Sequence, residues 1–166
     1  LAKVFNVPFT VYSKNLAKTY RSTCNKLGIP ILLFEGGKSL ESNTQVVNFG
    51  VRGTKRFLDS LNMLDSKFNL SYPIKDTVII EKSKWIRAQK SGLFHLKINC
   101  NKLVKSGEIL AIITDPYGKM KFNVTAPNKG FIINVNQAPI VHQGDAIFHI
   151  STKDSDHNEE TKSIDV

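Results

Sequence analysis

Several things are scarce or missing in this chain of 166 residues, and each absence excludes something. There are only two cysteines, Cys24 and Cys100, far apart in a long chain. That pattern is neither a disulfide framework nor a metal knuckle, so both read as reduced core residues. No histidine precedes His95, and His95, His142, His149 and His157 do not have the spacing of a zinc ligand set. No apolar run approaches the roughly 18 residues of a membrane span, and no signal-peptide pattern opens the chain. The chain starts Leu1-Ala2 without a methionine, as a processed or partial polypeptide would. Dense basic runs are also missing. The net charge is +9, which raises nucleic acid as a partner, but Lys14, Lys18, Arg21, Lys26, Lys38, Arg52, Lys55 and Arg56 are scattered without interleaved aromatics. They read as a solvated surface.

What is present includes an apolar fraction of 41%, which permits a true core. The most informative stretch is Gly28-Ile29-Pro30-Ile31-Leu32-Leu33-Phe34-Glu35-Gly36-Gly37. Ile31 to Phe34 is an unbroken apolar run after Gly-Pro, the pattern of a strand buried on both faces inside a parallel sheet. An ionisable carboxylate at the exit of such a strand is not explained by packing. Ligands of open α/β sheets bind outside the carboxyl ends of the strands. Gly36 and Gly37 allow a sharp turn and leave space beside the carboxylate. Glu35 therefore reads as a general acid or base at a cleft. The plain alternative is a glutamate that marks the strand end and faces water.

The chain divides near residues 70–85. Before the division, Leu16, Tyr20, Cys24 and Leu27 share one helical face, with Gly28 as the residue after the cap. A second helix is expected from about Gln45 to Met63, with Val47, Val51, Leu58 and Leu61 as its apolar stripe. Gly50 and Gly53 lie three apart in it and form a flat face for close packing. Helix, buried strand and helix look like the edge of a sheet-centred α/β domain that other strands must complete.

After the division, short strands are expected at 77–80, 86–88, 93–94, 109–113, 121–124, 131–135 and 146–150. This half echoes itself. Val104-Lys105-Ser106-Gly107-Glu108-Ile109-Leu110 matches Val141-His142-Gln143-Gly144-Asp145-Ala146-Ile147 at an offset of 37 residues, and Gly92-Leu93-Phe94 matches Gly130-Phe131-Ile132 at an offset of 38. Such a repeat points to a small two-fold β-sandwich, with the Gly-acid pair of each half at a tight turn. The expected domains are 1–72, an α/β part, and 73–150, a β-sandwich, followed by a disordered polar tail at 151–166.

The β half supports a rival reading as a carrier or binding module. Ala126-Pro127-Asn128-Lys129-Gly130 looks like the Ala-Pro-x-x-Gly turn of biotinyl and lipoyl carriers, and Lys119 falls seven residues before Ala126, where a biotinyl lysine would sit. However, Gly118 precedes Lys119 where the carrier motif has Met or Asp. An exposed lysine that carries nothing is the plainer reading.

Taken in order, Arg21-Ser22, Gly28-Ile29-Pro30, Glu35-Gly36-Gly37, Trp85-Ile86-Arg87-Ala88, Ser91-Gly92-Leu93-Phe94, Val104-Lys105-Ser106-Gly107-Glu108, Thr114-Asp115-Pro116-Tyr117-Gly118, Ala126-Pro127 and Gly144-Asp145 resemble the succinylglutamate desuccinylase/aspartoacylase family, from about residue 5 to 150. The resemblance implies the C-terminal part of a zinc-carboxypeptidase-like α/β domain, followed by an all-β barrel-sandwich domain of biotinyl/lipoyl type. It implies zinc-dependent hydrolysis of an amide bond in an N-acyl amino acid or similar small molecule. Glu35 matches the family's catalytic glutamate, which takes a proton from water and passes it to the leaving amine. Arg21 resembles an arginine that binds the substrate carboxylate or polarises the scissile carbonyl, tasks suited to a guanidinium fork.

The departure from the family is large. Its zinc ligands, a His-x-x-Glu pair and a later histidine, lie upstream of this glutamate and have no counterpart here. Zinc is thus the expected cofactor with ligands outside this segment, and the segment alone is expected to be inactive. A small-molecule N-acyl substrate is the expected partner, with no nucleic acid and no membrane, and homo-oligomerisation is left open. The expected location is cytoplasmic.

Overall fold

Thr19 and Asn43 start the two main helices in the same way. In the computed structural model, which describes residues 1–38, 41–65, 68 and 77–152, the Thr19 hydroxyl accepts from Ser22 N at 3.1 Å and the Asn43 side chain accepts from Val46 N at 3.1 Å. Each bond satisfies one of the N–H groups that a helix start leaves without a partner. The chain forms two compact units, Leu1–Ile79 and Ile80–Val166.

The first unit opens with a one-turn helix, α1 (Ala2–Phe5), and a short strand, β1 (Phe9–Val11). Helix α2 (Tyr20–Lys26) follows, then α3 (Thr44–Ser60). Strand β2 (Val78–Ile80) pairs with β1. Helix α2 ends as expected. Gly28 takes a φ of +71°, Gly28 N donates to Asn25 O, and Ile29 N donates to Cys24 O at 2.9 Å. This is the Schellman arrangement, which a left-handed glycine permits. Helix α3 stops three residues sooner than the stripe suggested, because Asn62 turns left-handed (φ 55°) and Met63 N folds back onto Leu58 O at 2.9 Å.

Gly50 and Gly53 do form a packing face. The ring of Phe34 lies against Gly50, and that of Phe5 lies against the buried Gly53. The two rings meet at 5.4 Å between centroids. On the far side of α1, the Arg56 guanidinium donates to Phe5 O at 3.2 Å and Asn6 O at 3.0 Å, where the short helix exposes its carbonyls.

Two expectations about this unit are corrected. Residues 29–34 are not a buried strand. Among the described residues they run without regular structure and without a backbone hydrogen bond from residue 30 to 36, and Leu33 is 61% exposed. Apolar character favours a strand, but a strand also needs a neighbour to satisfy its backbone, and no other strand among the described residues pairs with this one. In the expected α2 face only Cys24 is buried. Leu16 lies before the helix, and Tyr20 and Leu27 are exposed. Val47 and Val51 of α3 are likewise half exposed.

The second unit follows the repeat. Its strands are β3 (Ser83–Arg87), β4 (Gly92–Leu96), β5 (Leu103–Val104), β6 (Ile109–Thr114), β7 (Lys121–Thr125), β8 (Gly130–Val135), β9 (Ile140–Val141) and β10 (Ala146–Ser151). They form two four-stranded sheets, ordered β3-β10-β8-β5 and β7-β6-β4-β9. Shifting one half of the sequence onto the other by 37 or 38 residues converts the first order into the second. All the pairings in both sheets are antiparallel. The sheets are open, not closed into a barrel. The outer strands β5 and β9 are only two residues long, and short edges limit unwanted pairing. One apolar core joins the sheets. Leu110, Ile113, Ile132, Ile147, Phe148 and Ile150 are fully buried, each contributing roughly 1.5–3 kcal/mol of transfer free energy.

The echoed turns match bond for bond. Gly107 (φ 81°) and Gly144 (φ 95°) occupy the left-handed corner. Glu108 N donates to Lys105 O at 3.2 Å, and Asp145 N donates to His142 O at 3.0 Å. Gly107 N donates to Ala126 O and Gly144 N donates to Ala88 O, both at 2.8 Å. The tail from residue 153 and most of 66–76 lie outside the described residues.

Candidate functional site

Glu35 follows Phe34, and Phe34 is held by its ring against Gly50 and Phe5. On its other side, Gly36 packs on Val46 in the first turn of α3, so closely that a Cβ there would lie 2.8 Å from Val46 Cγ1. The segment is therefore pinned at both flanks by α3, and Glu35 projects as an exposed carboxylate between the two anchors. Gly50, Gly53 and Phe34 form this seat. The three-residue glycine spacing indicated the close packing, but nothing in the sequence named Phe5 and Phe34 as the rings that use it.

Beside this segment lies an apolar gap of about 80 Å³, walled by Phe9, Thr10 and Val11 of β1 on one side and Leu32, Leu33 and Phe34 on the other. The loop that follows Glu35 closes with a Lys38 Nζ–Glu41 Oε2 ion pair at 3.6 Å, exposed and worth little.

Arg21 is half-buried in α2. Its Nη2 donates to Ser13 Oγ at 3.1 Å and to Lys14 O at 3.2 Å, which ties the preceding segment to the helix. No hydrogen bond or ion pair joins Arg21 to Glu35 among the described residues. The guanidinium has five donors, and one nitrogen carries both of these bonds, so part of the fork is still available to a ligand.

Among the described histidines, His95 lies in β4 and His149 in β10, and His142 follows β9. His95 Nε2 is 2.9 Å from Thr114 Oγ1, across the β4–β6 pair. His149 Nε2 is 2.8 Å from Ser83 Oγ, and its ring stacks on Trp85 at 4.6 Å and 8°. Burial pushes the His149 imidazole below its ordinary value of 6.5. His157 lies outside the described residues. No group of three or more His, Cys, Asp or Glu side chains that could hold a metal ion occurs among the described residues. Those residues therefore do not fit a zinc ion, which needs three or four convergent ligands. Cys24 is buried and Cys100 is partly so. Lys119 lies in the β6–β7 turn, where Gly118 takes a φ of +69° and Asp115 Oδ1 accepts from Met120 N at 2.8 Å. No helix among the described residues is long and apolar enough to cross a membrane.

No protein-family model matches the chain, and no curated protein matches it by sequence. Solved structures do. The chain has the fold of succinylglutamate desuccinylase/aspartoacylase family proteins. It is similar to the product-bound ectoine utilization protein EutE (DoeB) from Ruegeria pomeroyi, with 19% identity and a TM-score of 0.78 over 91% of this chain and 47% of that one. A succinylglutamate desuccinylase from Silicibacter sp. TM1040 gives 18% identity and a TM-score of 0.75, over 90% of this chain and 47% of that one. An aspartoacylase family protein from Mesorhizobium loti gives 15% and 0.68, over 90% and 51%. The chain thus spans about half the length of the solved structures it matches.

Proposed function

We propose that this chain is part of an amidohydrolase that removes the acyl group from an N-acyl amino acid or a similar small molecule. The observation that carries the reading is Glu35: an exposed carboxylate, seated between two glycine-mediated contacts on α3, in a chain with the fold of desuccinylase and aspartoacylase family proteins. Glu35 takes a proton from the attacking water as the water oxygen bonds to the amide carbon. It returns the proton to the nitrogen as the C–N bond breaks, leaving a carboxylate and a free amine. Arg21 offers the unused part of its fork to the carboxylate of the substrate.

Zinc is the cofactor proposed for the intact enzyme, with ligands supplied from outside this segment. It would polarise the carbonyl and lower the pKa of its bound water. In this reading the second unit is a sandwich of the biotinyl/lipoyl type, supported by its two matching sheets, and it bears no attached group. The intact enzyme works on a small molecule in the cytoplasm, without nucleic acid or membrane.

The test uses protein from the complete native gene. Elemental analysis should find about one zinc per chain, the load of a single catalytic site. Glu35→Gln should keep that zinc and lose at least about a hundredfold in kcat, the scale of a lost general base. Zinc near zero in folded protein, or full turnover in Glu35→Gln, would overturn the reading.

A further inference from the structure

Strand β3 stands at the end of the order β3-β10-β8-β5, and among the described residues the backbone of Ser83–Arg87 bonds only to β10. Which groups its open edge presents follows from the ladder. Thr152 N donates to Lys82 O, so Lys82 and Thr152 form a hydrogen-bonded pair. Antiparallel pairs alternate, so Lys84 opposite Ile150 is bonded, whereas Ser83 opposite Ser151 and Trp85 opposite His149 are not. Ser83 and Trp85 therefore turn their N–H and C=O away from β10, to the open edge. The Trp85–His149 stack at 4.6 Å agrees, because side chains approach most closely in a non-bonded pair. The same edge is basic and carries an aromatic ring. Lys82, Lys84 and Arg87 are exposed and form no ion pair among the described residues, and Trp85 is 45% exposed. The outer strands β5 and β9, two residues each, offer no comparable length.

We propose that β3 is a docking edge for an extended acidic segment of another protein, which adds as a further strand, bonds to the backbone of Ser83 and Trp85, and rests an apolar side chain beside the Trp85 ring. Three features select this occupant. The open backbone is extended, so a strand satisfies it and a helix does not. The side chains along it are cationic and unpaired, so carboxylates opposite Lys84 and Arg87 are attracted. A second copy of this chain, at a net charge of +9, would bring like charge to the same lysines, which is how an edge is kept from pairing with itself. Trp85 supplies the anchor, since aromatic and β-branched residues pair well across strands. The docking edge is independent of the proposed hydrolysis and needs no substrate to be present.

Trp85 is the only tryptophan, so its emission reads the test. The probe is the capped peptide Thr-Glu-Thr-Ile-Glu-Val-Thr, which in antiparallel register sets Ile opposite Trp85 and the two Glu opposite Arg87 and Lys84. Titrated into the 166-residue chain, it should change the emission saturably, with an affinity that weakens as salt is raised. The same peptide with Lys in place of both Glu should give no saturable change. Lys84→Glu should weaken binding about tenfold, and Lys84→Arg should keep it. Ser83→Pro removes an edge-facing N–H, a change that an outer strand tolerates. It should weaken binding by up to about tenfold, whereas Ser83→Ala should not. No saturable change in protein that circular dichroism shows to be folded would overturn the proposal. So would equal binding of the Lys peptide, or full affinity in Ser83→Pro. Binding that emerges only when the chain is cut after Thr152 would also overturn it, by making the chain's own acidic tail the occupant.

Discussion

The Phe5 ring occupies the space that a side chain on Gly53 would need, with Cδ1 only 2.6 Å from the position of a Cβ there. The neighbouring relationship is looser. A Cβ on Gly50 would lie 3.0 Å from Phe34 Cε1, and Phe34 is 38% exposed, so its ring can give by a few tenths of an ångström without leaving its seat. The two glycines therefore separate helix propensity from packing. Replacing glycine by alanine inside a helix gains up to about 1 kcal/mol, whereas overpacking costs about 1–3 kcal/mol. Gly53→Ala should be net destabilising and Gly50→Ala neutral or mildly stabilising in a denaturant melt. Equal effects would mean that the Phe5 contact is not a constraint.

Glu108 and Asp145 do the same work at equivalent turns. Each carboxylate accepts from the backbone N–H three residues earlier, Lys105 N and His142 N, at 2.8 Å. Glu108→Ala and Asp145→Ala should each cost about 0.5–1.5 kcal/mol, the net worth of one hydrogen bond. The bonds lie at the surface, so the lower end applies. The measurement is urea unfolding of the whole chain. A loss at only one of the two positions would show that the repeat is not energetically symmetric.

His149 gives the second unit a pH dependence. Burial lowers its folded value below 6.5, so the unfolded chain binds the proton more readily. Stability from this group is therefore complete above about pH 6.5, the unfolded value. It falls as pH drops from there through the lowered folded value. Trp85, the only tryptophan, stacks on this ring and supplies the signal. Its emission should change as His149 titrates in the folded protein, with a midpoint below 6.5, and His149→Phe should flatten the curve. A midpoint above 6.5 would mean that the ring is not desolvated.

Arg21 has a structural and a proposed substrate role, and kinetics can part them. In the intact enzyme, Arg21→Lys keeps the charge and loses the planar fork. It should lower kcat/KM by about tenfold, or about 1.4 kcal/mol of transition-state stabilisation. If Arg21 only ties down Ser13 and Lys14, the variant will shift the melting temperature and leave kcat/KM intact.

The second unit was legible because a repeat reports on itself twice. The Gly-acid turns at 107–108 and 144–145 and the strands at 109–113 and 146–150 stood where the echo put them. Strands β5 and β9 were missed, since two residues carry no alternation to read. The glycine face of α3 was visible as spacing, and Asn62 as a stop was not. The run Ile31–Phe34 misled for a different reason. Hydrophobicity encodes a preference for burial, but pairing depends on a second strand that its own residues do not specify. Glu35 was expected at the exit of a buried strand; the structure has an exposed carboxylate after an irregular segment instead, and the rings of Phe5 and Phe34 that hold this segment depend on distant packing.

The two halves of the repeat do not each own a sheet. Strands β8 and β10 form the centre of one sheet and are flanked by β3 and β5, and the other sheet reverses these roles. A single copy of the repeat therefore has two central strands with no edges of its own and two edge strands with no centre. It could bury them only by exchanging edges with an identical copy. The present unit is two such copies in one chain, joined through the turn at Tyr117 and Gly118, so each copy supplies the edges of the sheet whose centre the other provides.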